Sequence, residues 1–419
     1  MLFEPTRAAA LARLAEFLPR AGRHYAEHRN ADEGTDPDGT ARRHVSQLSP
    51  WLHAGLLGET EVVDAVLGAH SPRAAEKFIA EVFWRVYFKG YLEQRPGVWT
   101  SYLAGRARAL AALEANAGLR RAYGEATEGR TGIAAFDHWA QELVTTGYLH
   151  NHARMWFASI WIFTLKLDWH LGADFFLQHL ADGDAASNTL SWRWVAGLHT
   201  KGKHYLARAD NIARYTAQHP AGPLAAAGLA GDAEPLTEPA EHPRVKLDLP
   251  PPASTADWAK PFALLLHDEA AHAAPLALPA APVLVIGAEW ASARSPRGAG
   301  SIALGFAAGA VAGGMAEASA AFGCPAQALP AGASLRAVLA EHGITRLAVP
   351  YLPQGWTRDA LWPELSALDA QGQVVTLLPD LSRATWPHAR AGFFGVAKQI
   401  DAVLGECGIT GSVLAAAAG

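Results

Sequence analysis

Cysteine is nearly absent from this sequence, which has only Cys324 and Cys407 in 419 residues. Two cysteines exclude a disulfide framework, and one chain cannot supply the four thiolates of a structural zinc or iron–sulfur site. A His-Asn-His string at 150–152 and an Asp-Gly-Asp string at 182–184 lack the further ligands of a catalytic metal or a calcium site. We therefore predict that the protein holds no metal.

Signals for membrane insertion or export are also weak. The most apolar helical stretch that we identify, Met155–Leu167, is too short to span a bilayer and is followed by charged residues. The first residues include an early acidic side chain instead of the basic start of a secretion signal. We expect a cytoplasmic protein with no membrane partner.

The composition is that of a folded globular protein. Hydrophobic residues make up 50% of the chain and charged residues 18%, which is too apolar for a disordered protein. The net charge is −5, and the acidic excess lies after residue 220. A nucleic-acid surface would therefore have to be a local basic patch in the first half.

Length and hydrophobic spacing predict two domains. Residues 1–220 have apolar residues at helical spacing, which predicts an all-helical domain. Residues 221–258 are rich in proline and alanine without periodicity, so we predict a linker. In residues 259–419 short apolar runs alternate with alanine-rich helical stretches, which predicts a small Rossmann-like parallel α/β domain.

The predicted elements of this second domain follow the same alternation. Strands are predicted at 262–267, 283–287, 346–350 and 374–378, and helices near 302–322, 333–342, 357–371 and 395–404.

Three segments of the helical half carry chemistry. The first is SQLSPWL at 46–52, with Tyr25 about twenty residues upstream. Hydroxyls and backbone N–H groups that enter a helix can bind a pyrophosphate. Taken alone, the segment is also explained as a helix start capped by Ser49 and Pro50.

The second segment, FIAEVFWR at 78–85, places Glu81, Trp84 and Arg85 at i, i+3 and i+4. A helix brings these three side chains to one face, where they could converge on a cavity. The alternative is a surface ion pair between Glu81 and Arg85 beside a core tryptophan.

The third segment runs from Gly147 to Trp194 and contains GYLHNHARM, LDW and DGDAASNTLSWRW. In order and spacing, the three segments resemble the flavin-binding domain of DNA photolyases and cryptochromes over residues 24–216. The resemblance implies an FAD cofactor held by the following residues: Tyr25, Ser46, Gln47, Leu48, Ser49, Arg85, Arg154, Asp182, Asp184 and Asn188. It also implies that Arg154 pairs with Asp182 and that Asn188 lies beside flavin N5, where an amide can influence the redox state.

The resemblance further implies an electron-transfer chain that begins with Trp192 and Trp169. A third tryptophan is expected around residues 110–120, where the sequence has only LAALEANAGLR. Trp161, Trp156 and Tyr123 are the substitutes left open. Any single tryptophan among the 14 is also explained by core packing.

The activity implied by the resemblance is blue-light-driven repair of ultraviolet-induced pyrimidine dimers in DNA, by a lyase of the deoxyribodipyrimidine photolyase type. Glu81, Trp84, Asn151 and Trp194 would then line the lesion pocket. A basic cluster with Arg193, Lys201, Lys203 and Arg208 would contact DNA phosphates, although a solvated loop explains it equally well. The alternative is a cryptochrome-like flavin photoreceptor without repair, favoured by the acidic balance and the incomplete tryptophan chain.

Photolyases carry an α/β antenna domain before the helical domain, whereas here the predicted α/β unit follows it. Its opening loosely resembles the first strands of that antenna domain. We therefore expect a relocated antenna domain, which could hold a second, unidentified antenna chromophore.

Overall fold

The computed structural model describes residues 2–34 and 42–410. Its first half is helical, as predicted. The α-helices there are α1 (Arg7–Phe17), α2 (Arg23–His28), α3 (Ser49–His53), α4 (Glu59–Ala69), α5 (Pro72–Glu93), α6 (Pro96–Ala115), α7 (Ala117–Thr127), α8 (Ala134–Thr146), α9 (Asn151–Ser159), α10 (Trp169–His179), α11 (Ala185–Ala196) and α12 (Ala209–Tyr215). A single π-helical stretch, Ile160–Thr164, continues α9.

Helix α5 is the longest of this half and has clear local causes. Ser71 caps it by accepting a hydrogen bond from the backbone N–H of Ala74, and Pro72 occupies its first turn, where a missing N–H costs nothing. The helix is 22 residues long, and its buried residues run from Ala75 to Glu93. Gly90 lets that face approach Trp386 closely, since a Cβ at this position would lie 2.5 Å from the indole ring.

Helices α10 and α11 start with aspartates that act as N-caps. Asp168 accepts from the backbone N–H of His170 at 2.8 Å, and Asp184 accepts from that of Ser187 at 2.6 Å. A carboxylate at this position satisfies a free N–H group and complements the positive end of the helix dipole. Helix α11 ends at Gly197, which has a left-handed backbone with φ of 84°.

The second half is an α/β unit with strands β1 (Ala263–His267), β2 (Leu284–Ala288), β3 (Ala326–Ala328), β4 (Leu347–Pro350) and β5 (Val374–Leu377). Its helices are α13 (Ser301–Phe322), α14 (Leu335–Glu341), α15 (Trp356–Asp369), α16 (Asp380–Thr385), α17 (Phe394–Ala397) and α18 (Ile400–Glu406). The strands form one parallel sheet in the order β3-β2-β1-β4-β5. The four predicted strands are confirmed, while β3 was not predicted.

Helix α13 is long and apolar enough to span a membrane by length and composition, the one such helix among the residues that the structure describes. From the sequence we named only a shorter apolar stretch, Met155–Leu167. Seven of the 22 residues of α13, including Phe306, Ala310 and Gly314, are buried, and the helix packs against β1 and β2. Packing against the sheet therefore accounts for part of the apolar surface of this helix.

The two halves share a core. Leu381, Trp386 and Val396 from the end of the chain belong to the same hydrophobic cluster as the residues of α1 to α5. The segment between α12 and Thr255 has no helix or strand, yet it is tied to the helical half. Its backbone N–H groups at Leu236 and Val245 donate to Ala196 and Gln94.

The carboxyl ends of β1 and β4 face the helical half. In a doubly wound sheet the crevice between two such neighbours, where the strand order reverses, is the usual ligand position. Here α5 fills it: Lys89 contacts Glu269 at 3.1 Å, and Glu93 accepts hydrogen bonds from Tyr351 and from the backbone of Gln354.

Candidate functional site

The N-terminus of α11 is the centre of a buried charged cluster. Arg154 of α9 donates a hydrogen bond to Asp182 at 2.8 Å, as the resemblance implied. Burial alone would raise the pKa of Asp182, but Arg154 and the hydroxyl of Ser49 outweigh it and lower that pKa. Asp182 is therefore an ionised carboxylate held between two of the predicted flavin residues.

Asp184 is surrounded by cations. Lys89 and Arg85, one turn apart on α5, approach its Oδ2 atom to 3.5 and 3.7 Å. Burial opposes ionisation, yet these two cations hold the pKa of Asp184 well below its usual value. His53, at the end of α3, lies 3.7 Å away on another side, and burial lowers its pKa.

The α/β half contributes to the same cluster. Glu269, just after β1, pairs with Lys89, and Arg294 donates to the backbone carbonyl of Leu180 at 2.9 Å. Arg294 also lies 3.5 Å from Nε2 of His53. His53, Lys89, Glu269 and Arg294 were not predicted from the sequence. Only Lys89 had a signal, since it follows Arg85 at i+4.

His53, Asp184 and Glu269 could be taken for a metal site, because one ligand atom from each lies within 4.8 Å of the others. Two carboxylates here already face the cations of Lys89 and Arg85, with Arg294 beside His53. A divalent ion would have to enter against these charges. The cluster is better explained as a set of internal ion pairs.

Several buried polar atoms of the cluster have no hydrogen-bond partner among the described residues. They include Oε1 of Glu269 and Nε2 of Gln47 in the neighbouring loop. Nη2 of Arg85 and Oδ2 of Asp184 also lack a hydrogen bond, but they face each other as an ion pair at 3.7 Å. An atom with neither kind of partner costs about 1–3 kcal/mol when it stays unpaired. Donors and acceptors in this mixture fit a polar, hydrogen-bonding cofactor such as the flavin that the resemblance implies.

Asn188 lies one turn into α11 and is buried. Its amide Nδ2 donates to the backbone carbonyl of Ala173 at 2.9 Å, which fixes the orientation of the carboxamide. This leaves Oδ1 as the amide's remaining acceptor.

The other predicted flavin residues lie in the loop before α3 and in α2. Gln47 has a left-handed backbone with φ of 54°, and its side chain accepts from the backbone N–H of Arg42 at 2.9 Å. The backbone carbonyl of Ser46 accepts from Arg13, and Leu48 is buried. Tyr25 packs against Phe17 and Phe78, and burial strongly raises its pKa.

No hydrogen bond, ion pair or ring contact of the described residues joins the four residues predicted to line a lesion pocket. Glu81 forms an ion pair with Arg29, and burial raises its pKa. Trp84 stacks on Phe393 from the end of the chain, with ring centroids 4.1 Å apart. Asn151 is exposed at the start of α9, and Trp194 stacks on Tyr205 at 5.8 Å.

The predicted DNA-binding residues fall into two groups. Lys201, Lys203 and Arg208 are exposed, although Arg208 pairs with Asp210 at 2.7 Å. Arg193 is different: its side chain is only 5% exposed and pairs with Glu238 of the linker. The expectation that Arg193 reaches phosphates from the surface is therefore corrected, because the following segment covers it.

Trp192 and Trp169 are both buried, on α11 and α10. The ring of Trp192 packs edge-on against Phe176 at 5.1 Å and Trp161 at 6.3 Å. Gly172 makes this packing possible, because a Cβ there would lie 2.3 Å from the Trp192 ring.

Comparison with known proteins gives one family match and a set of relatives. Residues 78–222 match the family described as the FAD binding domain of DNA photolyase. The chain is 33% identical over 200 residues to deoxyribodipyrimidine photo-lyase of Streptomyces griseus, covering 43% of this chain and 41% of that protein. It is 32% identical over 227 residues to cryptochrome DASH of Ostreococcus tauri, covering 52% of this chain and 39% of that protein.

A solved class III photolyase from Agrobacterium tumefaciens shares 25% identity, with a TM-score of 0.41 over 51% of this chain and 44% of that one. The chain thus spans about two fifths of the length of the curated relatives named above.

Proposed function

We propose, since the helical half of this chain belongs to the DNA photolyase and cryptochrome family, that the protein binds FAD and uses blue light to drive electron transfer. The charged cluster at the start of α11 is the observation that carries the proposal. There Arg154 engages Asp182, and Arg85 lies beside Asp184. Two turns after Asp184 stands the buried ring of Trp192, a suitable electron donor.

In this proposal the chain's own residues bind and orient the cofactor. The ion pair of Arg154 with Asp182 would hold both side chains in place for the flavin, and Asp184 would supply an acceptor for its N–H or hydroxyl groups. The tethered carboxamide of Asn188 offers its oxygen in a fixed orientation. Bound FAD would supply the light absorption and the one-electron chemistry, which no amino-acid side chain provides.

We further propose ultraviolet-damaged DNA as the substrate. Several curated relatives are named deoxyribodipyrimidine photo-lyase, and the residue types of Glu81, Trp84, Asn151 and Trp194 are those of the resemblance. A dimer would have to leave the base stack to approach a buried flavin. Glu81 would then hydrogen-bond to the lesion, which requires that its ion pair with Arg29 opens.

A second candidate is a photoreceptor without repair, and a specific contact favours it. Phe393 covers the face of Trp84, so in this conformation a lesion could not stack there. The burial of Arg193 also favours a photoreceptor, because Glu238 pairs with a cation that could otherwise contact DNA phosphates. In a photoreceptor, reduction of the flavin would change the conformation of the protein, and no substrate would be converted.

The two candidates are separated by one set of measurements on the full chain. The absorption spectrum of the purified protein tests for bound flavin, and blue-light illumination with dimer-containing oligonucleotides tests for repair. A photolyase should repair the dimers, and Glu81→Ala should lose repair while it retains FAD. The matched control is Glu76→Ala on the same helix, whose side chain is 66% exposed.

Bound, photoreducible flavin without repair of dimers would overturn the photolyase proposal in favour of the photoreceptor. A colourless protein that cannot be reconstituted with FAD would overturn both. An antenna chromophore in the α/β half and a cytoplasmic location stay proposals that these measurements do not touch.

A further inference from the structure

A second line of aromatic rings begins at Trp169. The ring of Trp169 lies 5.8 Å from that of Tyr102 on α6, and Tyr102 stacks on Trp99 at 5.4 Å with the two planes 28° apart. All three residues are buried. Trp99 comes well before the stretch at 110–120 where the sequence analysis looked for a third tryptophan, so the sequence alone did not connect it with Trp169.

Trp192 reaches this line through α10. Its ring lies against Gly172, which is three residues after Trp169 and therefore on the same side of that helix. Trp161, in contact with the Trp192 ring, also donates a hydrogen bond from its indole to the backbone carbonyl of Asp168, the residue that precedes Trp169. Helix α10 thus connects the two tryptophans, because it contains Trp169 and packs against Trp192 at Gly172.

The line ends at a proton acceptor. The indole N–H of Trp99 donates to Oδ2 of Asp359 at 2.9 Å, and Asp359 is an exposed residue of α15. The indole N–H becomes far more acidic when tryptophan loses an electron, so a carboxylate at this position can take the proton. The Tyr102 hydroxyl, in contrast, has no hydrogen-bond partner among the described residues.

We propose that Tyr102 and Trp99 replace the missing third tryptophan, so that the oxidising equivalent passes from Trp169 to Trp99 and the indole proton of Trp99 passes to Asp359. The inference rests on the proposed flavin photochemistry. One electron moves from Trp99, through contact with Tyr102, to the oxidised Trp169. The indole proton of Trp99 passes to Asp359. An external thiolate then gives one electron to Trp99 and becomes a thiyl radical, and Asp359 returns the proton to the indole nitrogen.

A second row of aromatic rings also leads away from Trp192, but it is less suited to carry the oxidising equivalent. From Trp192 it passes to Trp161 at 6.3 Å and to Tyr123 at 5.9 Å. It ends beneath the guanidinium of Arg297, which lies 5.4 Å above the Tyr123 ring. A fixed positive charge there opposes the arrival of a second one. The guanidinium of Arg106 lies as close to the Tyr102 ring, at 5.5 Å, but it is paired with Asp174 at 3.2 Å, and Asp359 favours a positive charge at Trp99.

The test uses the full chain loaded with FAD, blue light and an external thiol. Trp99→Phe should slow loss of the flavin's blue absorption at least tenfold, because the electron returns from the reduced flavin to the oxidised Trp169 before the thiol can act. Tyr123→Phe, which interrupts the second row of rings, should stay within twofold of the wild type. Thermal unfolding and FAD content of each variant establish that the fold and the cofactor are retained.

A second readout does not depend on reduction rates. Electron paramagnetic resonance on illuminated protein should give a tryptophan radical in the wild type that is lost in Trp99→Phe. In Asp359→Asn the radical should form but keep its indole proton for longer, because its acceptor is gone.

Different experimental results would overturn the exit through Trp99 and the proposed function. Photoreduction at the wild-type rate in Trp99→Phe, together with slow photoreduction in Tyr123→Phe, would overturn the exit through Trp99 and leave flavin photochemistry intact. Wild-type protein that binds no flavin, or binds it without photoreduction, would overturn the proposed function and this inference with it.

Discussion

Phe393 stacks on Trp84 with ring centroids 4.1 Å apart and ring planes 13° apart. The two residues are more than 300 positions apart in the chain, and the contact joins the end of the α/β half to α5. It covers one face of the ring that a repair enzyme of this family would offer to a lesion. Access to Trp84 is therefore a question about the position of the segment around Phe393.

Replacement of Phe393 by alanine should uncover Trp84. If the protein recognises damaged DNA through this ring, affinity for a dimer-containing oligonucleotide should rise several-fold. The stability should fall by about 3 kcal/mol or somewhat more, the usual loss for a buried aromatic ring. Titration with labelled oligonucleotide and thermal unfolding measure the two effects.

The neighbouring Phe394 provides the control, because its side chain is 82% exposed. Phe394→Ala should leave both DNA affinity and stability nearly unchanged. Equal DNA affinity in both variants would mean that Trp84 is not a DNA-contacting residue even when it is accessible.

Removal of Lys89 should be costly. Its ammonium faces Asp184 and Glu269 in a site from which water is largely excluded, so Lys89→Met leaves two buried carboxylates with one cation fewer. We expect a loss of about 3–5 kcal/mol in the free energy of unfolding. Denaturant titration of the wild type and the variant checks this.

Two further variants test whether the loss of stability in Lys89→Met comes from its contact with Glu269. Lys89→Met combined with Glu269→Gln should lose less than Lys89→Met alone, because one of the uncompensated charges is removed. Lys77→Met, on the same helix but 52% exposed, should change stability by less than about 1 kcal/mol. Additive losses in the double variant would contradict a direct coupling of Lys89 with Glu269.

His267 should make stability depend on pH between about 6.5 and 4. Burial, aided by Lys89, lowers its pKa from 6.5 to about 4. Its Nε2 donates to the backbone of Pro350, and its Nδ1 accepts from that of Glu269, so the neutral ring is required. In this window the unfolded chain binds the proton and the folded protein does not. The contribution of His267 therefore falls as the pH falls, by up to about 1.4 kcal/mol per pH unit.

The measurement compares the free energy of unfolding of the wild type and of His267→Gln from pH 7 to pH 4.5. Buried acids such as Glu93, whose pKa is raised by burial, titrate in the opposite sense, but they are present in both proteins and cancel. The difference should shrink with falling pH. His342→Gln, at an exposed position, is the control, and the same slope in both variants would refute the prediction.

Gly314 should not tolerate a side chain. A Cβ at this position would lie 1.7 Å from the backbone carbonyl oxygen of Ala271, so α13 would have to move away from the loop after β1. We expect Gly314→Ala to destabilise the protein by 1–3 kcal/mol or more, as overpacking of a rigid contact does.

Gly313 is the matched control on the same helix. A Cβ there would have its nearest neighbour at 3.9 Å, an ordinary contact, so Gly313→Ala should stabilise the helix by up to about 1 kcal/mol. Thermal unfolding compares the two variants, and a stabilising effect of Gly314→Ala would show that α13 is free to shift.

Hydrophobic spacing was sufficient to predict the helical half and four of the five strands. The runs that became β1, β2, β4 and β5 contain consecutive apolar residues, typical of strands in a parallel sheet that is covered on both faces. The strand β3 escaped prediction because Ala326–Ala328 is short, lies at the sheet edge and is partly exposed. The buried face of α13 could not be predicted from the sequence either, because small residues recur on every side of this helix.

The sequence by itself determined the local elements and the residues of α11 and its cap, because spacing, capping residues and motif order are properties of neighbours along the chain. It indicated the pairing of Arg154 with Asp182 only through a family resemblance. The contacts of Lys89 with Glu269, of Phe393 with Trp84 and of Trp99 with Asp359 join residues 180 or more positions apart. These were decided by tertiary structure alone, because they depend on how the α/β half docks on α5 and α6, and docking is set by the shape and charge of whole surfaces.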